Sequence, residues 1–441
     1  MTNKEAAPSI LKQPLGPPFW RLWFSSGVSN LADGIFKVAL PLVAIQFTRS
    51  PTLIAGLAAL LTLPWLILAL PAGALSDRLD RRRIMLVANV ARASLLAVLV
   101  LVLVLDAGSV WVLAVVALCI GINETVYDTA AQSILPQLVT RDQLSRANGR
   151  LYGAELTANQ FIGPPLGGIL AVVGATAAFA APAALWAVAV AALLLVRGDF
   201  RVVREQRTTL RADIGEGLRF LFGHRLLRTL AAMVGLFNLG ANSMFAVLVL
   251  YAVGPTSAMH LSEQAFGVLL TTIAAGSLAG SMVAERVERL LGRAATIAIA
   301  YLSGALLLGI PALTTNPFLI GASFFTGGMG MVVANIVTVS LRQRITPNRL
   351  LGRVNSAYRL IAWGTMPIGA LLGGLLAQLF GLRAVFAITG FLAVATLAGL
   401  TIVSNDRMDA AEREAEQQSG PRAQDAEDDH RPQRQDAEQA S

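Results

Sequence analysis

Twelve long apolar segments follow one another along the chain of 441 residues, with short polar stretches between them. A helix that crosses a bilayer needs about 20 consecutive, mostly apolar residues, and all twelve segments are long enough. The first is too long and too charged for a signal-peptide core. We therefore predict an all-α, polytopic membrane protein with twelve transmembrane helices. The approximate spans are residues 19–46, 52–75, 84–105, 110–137, 149–173, 176–196, 229–253, 264–285, 294–313, 316–341, 354–380 and 383–404.

The longer polar stretches divide the chain into five parts. Residues 1–18 form an N-terminal segment, 19–196 and 229–404 form two six-helix bundles, and 197–228 form a central loop. The tail, residues 405–441, is rich in Glu, Gln, Asp and Arg and almost free of large apolar side chains. A segment of this composition cannot bury a core. We therefore predict that the tail is disordered.

Basic residues are concentrated on one side of this predicted topology. Thirty of the 35 Lys and Arg residues fall at the N-terminus, in alternate loops, in the central loop or in the tail. The other side carries only Arg49 and Arg383, and Lys37, Arg92 and Arg359 lie within spans. Cytoplasmic loops of membrane proteins carry the excess of positive charge. The asymmetry predicts a multi-pass protein of the cytoplasmic (inner) membrane with both termini in the cytoplasm, and it explains the net charge of +8 without a nucleic-acid partner.

Composition argues against catalytic and metal sites. Charged residues make up 14% of the chain, against about 25% in soluble domains. One cysteine excludes a disulfide within the chain, and three scattered histidines are too few for a histidine metal cluster. Glu124 and Asp128 faintly resemble the acidic motif of membrane prenyltransferases, but the C-terminal spans lack the second acidic cluster that such enzymes need. We therefore predict no enzyme activity, no cofactor and no metal.

The two halves of the sequence repeat each other. The sequence DRLDR at residues 77–81 recurs as ERVER at 285–289, 208 residues later, and Asn30 recurs as Asn238 at the same offset. A repeat of six spans is even, so both copies enter the membrane in the same direction. We predict two parallel six-helix repeats around a central cavity, with a site between the halves near the bilayer midplane.

The turn after the second span carries a motif. Residues 73–83 read GALSDRLDRRR, which resembles the Gly-x-Leu-x-Asp-Arg-x-Gly-Arg-Arg/Lys signature of the major facilitator superfamily of secondary transporters. Asp80 stands where that signature has its second glycine. With the stretch Pro-Gln-Leu-Val at 136–139, the sequence is similar to those of the exporter branch, which includes macrolide, multidrug and siderophore efflux proteins. The resemblance covers about residues 19–404.

The resemblance implies a cytoplasmic gate at this turn. Asp77 would accept hydrogen bonds at the N-terminus of the eleventh span, and the arginines would bind Asp128 or anionic lipid head groups. Gly73 would let the second helix approach another helix closely, and we expect Arg92 to pair with Asp128 at a similar depth. The alternative is a basic loop that only sets topology. The gate residues are Gly73, Asp77, Arg78, Arg81, Arg82, Arg92 and Asp128.

The fifth span contains GPPLGG, which resembles the family's antiporter motif with Asn159 at the position of its first glycine. The two prolines remove backbone donors and should bend the helix. Small residues allow close helix contact, and the resemblance implies a contact with the eighth span, where Gly276 and Gly280 offer a similar face. Generic helix packing is the alternative. The motif residues are Gly163, Pro164, Gly167 and Gly168.

Charged residues within spans are the best candidates for coupling, because each costs about 2.5–3.5 kcal/mol at a helix centre. Asp33 and Lys37 share a helix face, so they either neutralise each other structurally or line the cavity. Glu124 and Asp128 also share a face, which favours proton exchange. Glu155 fits a structural and a functional role equally. The proton-coupling and cavity candidates are Asn30, Asp33, Lys37, Glu124, Glu155, Asn238, Asn242 and Asn335.

The C-terminal spans predict a largely apolar cavity, lined by aromatic residues such as Phe237, Phe245, Phe324 and Trp363. With the resemblance, this implies a secondary active transporter that exports a small amphipathic compound (a drug, macrolide or siderophore-like molecule) by proton antiport with alternating access. Glu124 ranks ahead of Asp33 as the proton carrier. The partners would be the substrate, protons and membrane lipids, and the protein would act as a monomer. An uptake symporter or facilitator, a sensor without transport, and a membrane-embedded enzyme are the alternatives.

Overall fold

The computed structural model describes residues 14–140, 143–198, 200, 210–347 and 350–418. These residues are almost entirely helical, and twelve helices among them are long and apolar enough to cross a membrane, which confirms the twelve predicted spans. A π-helical segment, Leu156–Ile162, joins α5 to α6, and together they form the fifth span. The helices are α1 (Pro17–Phe47), α2 (Pro51–Arg78), α3 (Arg81–Val104), α4 (Val110–Ile134), α5 (Leu144–Glu155), α6 (Gly163–Val173), α7 (Ala175–Leu194), α8 (Leu210–Gly223), α9 (Arg225–Ala252), α10 (Glu263–Leu291), α11 (Arg293–Leu313), α12 (Pro317–Ile345), α13 (Leu351–Phe380), α14 (Leu382–Thr396) and α15 (Asn405–Gln418).

Successive spans leave the bundle at alternate faces. One face, called the basic face here, carries the turn at residues 79–80 and the turn at Gly292, together with α8 and α15. The opposite face carries the connections at residues 48–50 and 253–262. Both described ends of the chain therefore lie at the basic face.

Burial differs between central and peripheral helices. In α1 and α9, 72% and 67% of the most apolar window is buried, and in the other described spans 50% or less. Many large apolar side chains on the outer helices are exposed, among them Val87, Leu101 and Trp111. Exposed side chains of this kind suit contact with lipid. The first helix of each half thus lies at the centre of the bundle.

Glycine contacts confirm the predicted repeat. A Cβ atom added to Gly121 of α4 would collide with the carbonyl oxygen of Leu61 in α2. A Cβ added to Gly328 of α12, 207 residues later, would collide with the carbonyl oxygen of Ile273 in α10. Only glycine allows helix backbones to come this close. The same helix pair is therefore packed in the same way in both halves.

The halves contact each other near the opposite face through another equivalent pair. Gly168 of α6 packs on the backbone of Glu263 at the start of α10, and Gly374 of α13 packs on the backbone of Pro51 at the start of α2. The two glycines lie 206 residues apart. Two equivalent contacts on either side of the bundle are what a parallel repeat around a central axis predicts.

The expected contact between the fifth and eighth spans forms through different glycines. Gly267, in the first turns of α10, packs against the carbonyl of Pro164. Gly276 and Gly280 lie further along α10 and pack against α12 of their own half instead, so the prediction for these two residues was wrong. The reason is that α10 contacts both α6 and α12, and its early turns are the ones that pack against α6.

The fifth span is interrupted just before its two prolines. Over Leu156–Ile162 the backbone widens into π-helical turns before α6 begins at Gly163. A proline has no N–H to donate, and its ring clashes with the carbonyl four residues earlier. The carbonyls four residues before the two prolines lie within the π segment, where the wider turns move them away from the proline rings. Such π segments often occur at functional sites. The structure thus shows a wider helix before the prolines, and the expected bend stays a prediction.

The predicted disordered tail begins with a helix, so this prediction was wrong for residues 405–418. In α15, Met408 is fully buried and Asp409 and Glu412 pair with Arg293 at the start of α11. The polar composition hid an apolar side chain and acidic residues at helical spacing. Residues 419–441 lie outside the described part of the chain.

Within the central loop, α8 packs beneath the C-terminal half. Leu221 is fully buried in a small cluster with Leu350 and Val354, and Glu216 pairs with Arg353 at the start of α13. This helix therefore fixes the basic-face end of α13.

Candidate functional site

A cavity of about 500 Å³ lies between the two halves. It reaches from the middle of the bundle to the basic face, where Tyr152 and Arg342 line it. The N-terminal half contributes the fifth span, and the C-terminal half contributes most of the wall. The lining residues used below are Tyr152, Phe237, Asn238, Tyr301, Asn335, Thr338, Arg342, Tyr358, Arg359 and Trp363.

The deepest ion pair of the N-terminal half joins α1 to α3. Arg92 Nη1 lies 3.3 Å from Asp33 Oδ1, and the two side chains are only 0% and 5% exposed. The guanidinium carbon lies 5.0 Å from the ring centre of Tyr127 and 5.4 Å from that of Trp186. We expected Arg92 to pair with Asp128, and this was wrong. The partner is Asp33, because α1 packs closely enough to bring its carboxylate to the buried guanidinium.

A second ion pair joins α1 to α4. Lys37 Nζ lies 2.9 Å from Glu124 Oε1, and the side chains are 39% and 11% exposed. Asp33 and Lys37 therefore do not neutralise each other, as one interpretation expected, because each has a partner on another helix. Breaking a buried pair by removing one partner leaves an uncompensated charge. Lys37 and Glu124 combine such a pair with partial exposure of the Lys37 side chain.

The amide side chains join neighbouring helices through weaker contacts. Asn159 Nδ2 lies 3.5 Å from Asn30 Oδ1, which links the π segment to α1. In the C-terminal half, Asn238 Nδ2 donates to the Ala362 carbonyl at 2.8 Å, and Asn242 Nδ2 donates to the Asn238 carbonyl at 2.8 Å. Asn238 thus ties α9 to α13 at the cavity wall.

Not all predicted cavity residues line the cavity. Asn238 and Asn335 do, whereas six others are not among its lining residues: Asn30, Asp33, Lys37, Glu124, Glu155 and Asn242. Glu155 is exposed and lies between Tyr152 and Leu156, which both line the cavity.

The cavity is closed on the side of the opposite face. Arg49 Nη1 donates to the Val253 carbonyl at 3.2 Å, a contact between the two halves. Near the middle of the bundle, the rings of Trp65 and Trp363 lie 4.9 Å apart, edge to face. The close backbone contacts at Gly168 and Gly374 lie between these two levels. The geometry is that of a cavity reached from the basic face and sealed from the opposite face.

Comparison with known proteins identifies the family of this chain. An MFS family model described as transmembrane secretion effector matches residues 12–432. The chain belongs to this family of the major facilitator superfamily. It is 29% identical over 401 residues to the multidrug efflux pump Tap of Mycolicibacterium fortuitum, covering 88% of this chain and 93% of that protein. It is 26% identical over 391 residues to macrolide efflux protein A of Streptococcus pyogenes, covering 85% and 93%.

Solved structures share the fold. The nucleoside transporter NupG superposes with a TM-score of 0.69 at 13% identity, over 88% of this chain and 99% of that chain. A bacterial homologue of the iron transporter ferroportin, in an inward-facing state, superposes with a TM-score of 0.67 at 16% identity, over 91% and 100%. These structures show the shared fold, and the family match and the curated relatives show that the protein is a membrane transporter of the major facilitator type and not an enzyme.

In this major facilitator protein, the motif arginines bond within the N-terminal half. Arg82 donates to the carbonyls of Leu193 and Leu194 at 3.1 and 2.9 Å, at the C-terminus of α7. Arg81 donates to the Ser133 carbonyl in α4. The side chains of Asp77 and Arg78 lie outside the described part. The gate between the halves therefore stays a prediction for a state in which the basic face is closed.

Two glycine positions of the motif differ from expectation. A Cβ at Gly73 would have no heavy atom within 4 Å, so the expected close helix approach is not formed in this structure and, like the gate, stays a prediction for the closed state. Asp80 caps α3, since its carboxylate accepts from the Arg83 backbone N–H at 2.8 Å. Its φ of −63° is accessible to any residue. The turn does not need the glycine of the family signature, because Asp80 provides an N-cap instead.

The cavity is more polar than the sequence predicted. Phe237 and Trp363 line it, but Phe324 is fully buried and contacts Phe245 with ring centres 6.3 Å apart. Sequence reasoning missed Tyr301, Tyr358 and Arg342. The available signal was a tyrosine within each of two predicted spans, since a phenol in a transmembrane helix needs a polar environment.

Proposed function

We propose that this protein exports a small amphipathic compound across the cytoplasmic membrane by alternating access, driven by proton influx. The observation that carries the proposal is the cavity between the halves, which is open at the basic face and sealed at the opposite face. The Lys37–Glu124 pair lies in the N-terminal half. The names of the relatives, a multidrug efflux pump and a macrolide efflux protein, support export.

The positive-inside rule assigns the basic face to the cytoplasm. With that orientation, the cavity takes its substrate from the cytoplasm or the inner leaflet. Both termini would then be cytoplasmic, and the contacts at Arg49 and Gly168 would form the periplasmic or outer seal that must open during transport.

Glu124 is the proposed proton carrier. Its only described ion-pair partner is Lys37, whose side chain is 39% exposed, so this pair is less enclosed by protein than the Asp33–Arg92 pair. Protonation of Glu124 would neutralise it and release the Lys37 ammonium from the pair. Asp33 is less suited to this role, because its partner Arg92 is fully buried. Alternation between a paired and a protonated Glu124 would couple proton movement to the positions of α1 and α4.

Transport into inverted membrane vesicles with an acidic interior tests this function. Uptake of a macrolide or a dye should depend on the pH gradient in the wild type and disappear in Glu124→Gln, while substrate binding remains. Glu285→Gln is the matched control, because Glu285 is 87% exposed at the basic face and pairs only with the neighbouring Arg289 among described residues. Gradient-driven movement out of these vesicles would indicate uptake by the protein in cells. Wild-type rates in both Glu124→Gln and Asp33→Asn would refute the coupling site.

A further inference from the structure

Two arginines line the C-terminal wall of the cavity near the basic face. Arg342 lies in the last turn of α12, and Arg359 lies in the third turn of α13. Among the described residues, neither guanidinium has a carboxylate within 4.0 Å. Arg293 and Arg353, at the same face, are each paired with acidic residues. No described carboxylate thus pairs directly with either cavity arginine, and the Asp128 carboxylate interacts with Arg359 only from beyond 4.0 Å.

Arg342 is held in place by neutral groups. It is only 8% exposed, and its Nε donates to Asn355 Oδ1 at 2.8 Å. The guanidinium carbon lies 3.9 Å from the ring centre of Tyr358. Its Nη1 is buried and has no hydrogen-bond partner among the described residues. A buried donor without a partner costs free energy, and a guanidinium fixed by stacking is well prepared to bind an anion.

Arg359 provides a second, more accessible donor. Its guanidinium carbon lies 4.2 Å from the ring centre of Trp363, and its Nη1 contacts the neutral Gln132 Oε1 across the halves at 3.4 Å. Both arginines thus lie on aromatic rings that also line the cavity. Each ring keeps its guanidinium oriented while the charge remains available.

The wall around these arginines suits both ends of an amphipathic anion. Tyr301, Asn335 and Thr338 add polar groups, and Phe237 and Trp363 add apolar surface deeper in the cavity. Guanidinium groups bind carboxylate, phosphate and sulfonate oxygens through paired, charge-assisted hydrogen bonds. Two arginines near the basic face and aromatic side chains deeper in the cavity would distinguish an anionic amphiphile from a neutral one by charge and not by shape.

We propose that the cavity selects amphipathic compounds that carry an anionic group, which binds at Arg342 and Arg359 while the apolar body packs on Phe237 and Trp363. This inference rests on the proposed transport function and specifies its substrate class. Arg342 is the main determinant, because its unpaired donor is buried. Arg359 assists from the water-exposed side.

A pair of probes that differ only in charge tests the inference. Binding of 1-pyrenebutyric acid and of its methyl ester is measured by fluorescence on purified full-length protein in nanodiscs of phosphatidylcholine. We expect the wild type to bind the acid about tenfold more tightly than the ester, as for one charge-assisted hydrogen-bonded pair. Arg342→Gln should remove this preference without changing the affinity for the ester, and Arg359→Gln should reduce it less.

Arg344→Gln is the matched control. It removes the same charge two residues away, but Arg344 is 63% exposed, does not line the cavity and lies near Glu412. Its preference for the acid should equal that of the wild type. Arg342→Lys, which keeps the charge without the planar fork, should show an intermediate preference if Arg342→Gln does not fold. Equal affinity of the wild type for acid and ester, or equal loss in Arg344→Gln and Arg342→Gln, would overturn the inference.

Phospholipid is a second source of the same anionic chemistry. Repeating the measurement with phosphatidylglycerol in the nanodisc distinguishes the two sources. Acid binding that persists supports a dissolved substrate, whereas complete displacement by the lipid would overturn that assignment. A protein that exports a macrolide but does not prefer the acid would contradict this inference and leave the proposed function intact.

Discussion

The two halves of the transporter share one architecture but differ in charge at equivalent positions. With the offset of 208 residues between α1 and α9, Asp33 and Lys37 correspond to Ala241 and Phe245. With the offset of 207 between α4 and α12, Glu124 corresponds to Met331. The N-terminal half therefore contains two interhelical ion pairs where the C-terminal half has apolar side chains.

This difference shows that the fold does not require the ion pairs. Equivalent helices pack in both halves through the same glycine contacts, with or without charge. Replacing buried ion pairs by well-packed apolar residues is often neutral or stabilising. Charges that occur in only one half, at a cost in stability, therefore support the role in transport that we propose for them. The unpaired charge of the other half, at Arg342 and Arg359, lies in the cavity wall and not between helices.

The largest expected effect comes from breaking the deepest pair. Arg92→Met should lower the free energy of unfolding by about 3–5 kcal/mol, because it leaves the Asp33 carboxylate buried without its partner. Unfolding in mixed micelles with increasing denaturing detergent measures the loss.

A double variant separates charge from packing. Adding Asp33→Leu to Arg92→Met should recover most of the lost stability, since the N-terminal half then resembles the C-terminal half, which has Ala241 at the position of Asp33. If the double variant is less stable than either single variant, the pair stabilises the fold directly and the comparison between the halves misleads.

The sequence predicted the spans, the repeat and the charged residues, because long apolar runs and recurring motifs are local signals. It did not predict which charges pair. Asp33 and Lys37 are correctly spaced for each other, but their partners are Arg92 and Glu124, because the rotation of each helix about its axis decides what its side chains reach. The same limit explains why Gly276 packs within its own half.

Segments outside the membrane escaped prediction for another reason. The polar composition after residue 405 indicated disorder, yet Met408 and Ala411 are buried and Arg293 supplies a partner for the acidic residues. Window-averaged composition does not show a few apolar side chains in a helix that docks on an existing surface.

An intermediate effect is expected from the repeated glycines. Gly121→Ala and Gly328→Ala should each lower the free energy of unfolding by about 1–3 kcal/mol, because the new Cβ would push against a backbone carbonyl. Gly56→Ala in α2 is the control, since its Cβ would meet nothing within 4 Å. The same detergent unfolding measures all three. A large loss in only one member of the pair would show that the halves are packed differently.

The smallest expected effect concerns the turn in which the halves use different residues. In the N-terminal half, Asp80 caps α3 with φ of −63°, whereas in the C-terminal half Gly292 precedes α11 with φ of +77°, a left-handed conformation. Asp80→Ala and Asp80→Gly should each lower the free energy of unfolding by about 1–2 kcal/mol, because the buried Phe200 N–H loses its acceptor in both. The glycine variant should lose slightly less, because glycine is a tolerated N-cap. Gly292→Ala should cost about 1–2 kcal/mol through strain at positive φ. If Asp80→Gly instead abolishes transport while stability is unchanged, the carboxylate has a role in the gate as well as in the cap, and the two turns differ in function as well as in conformation.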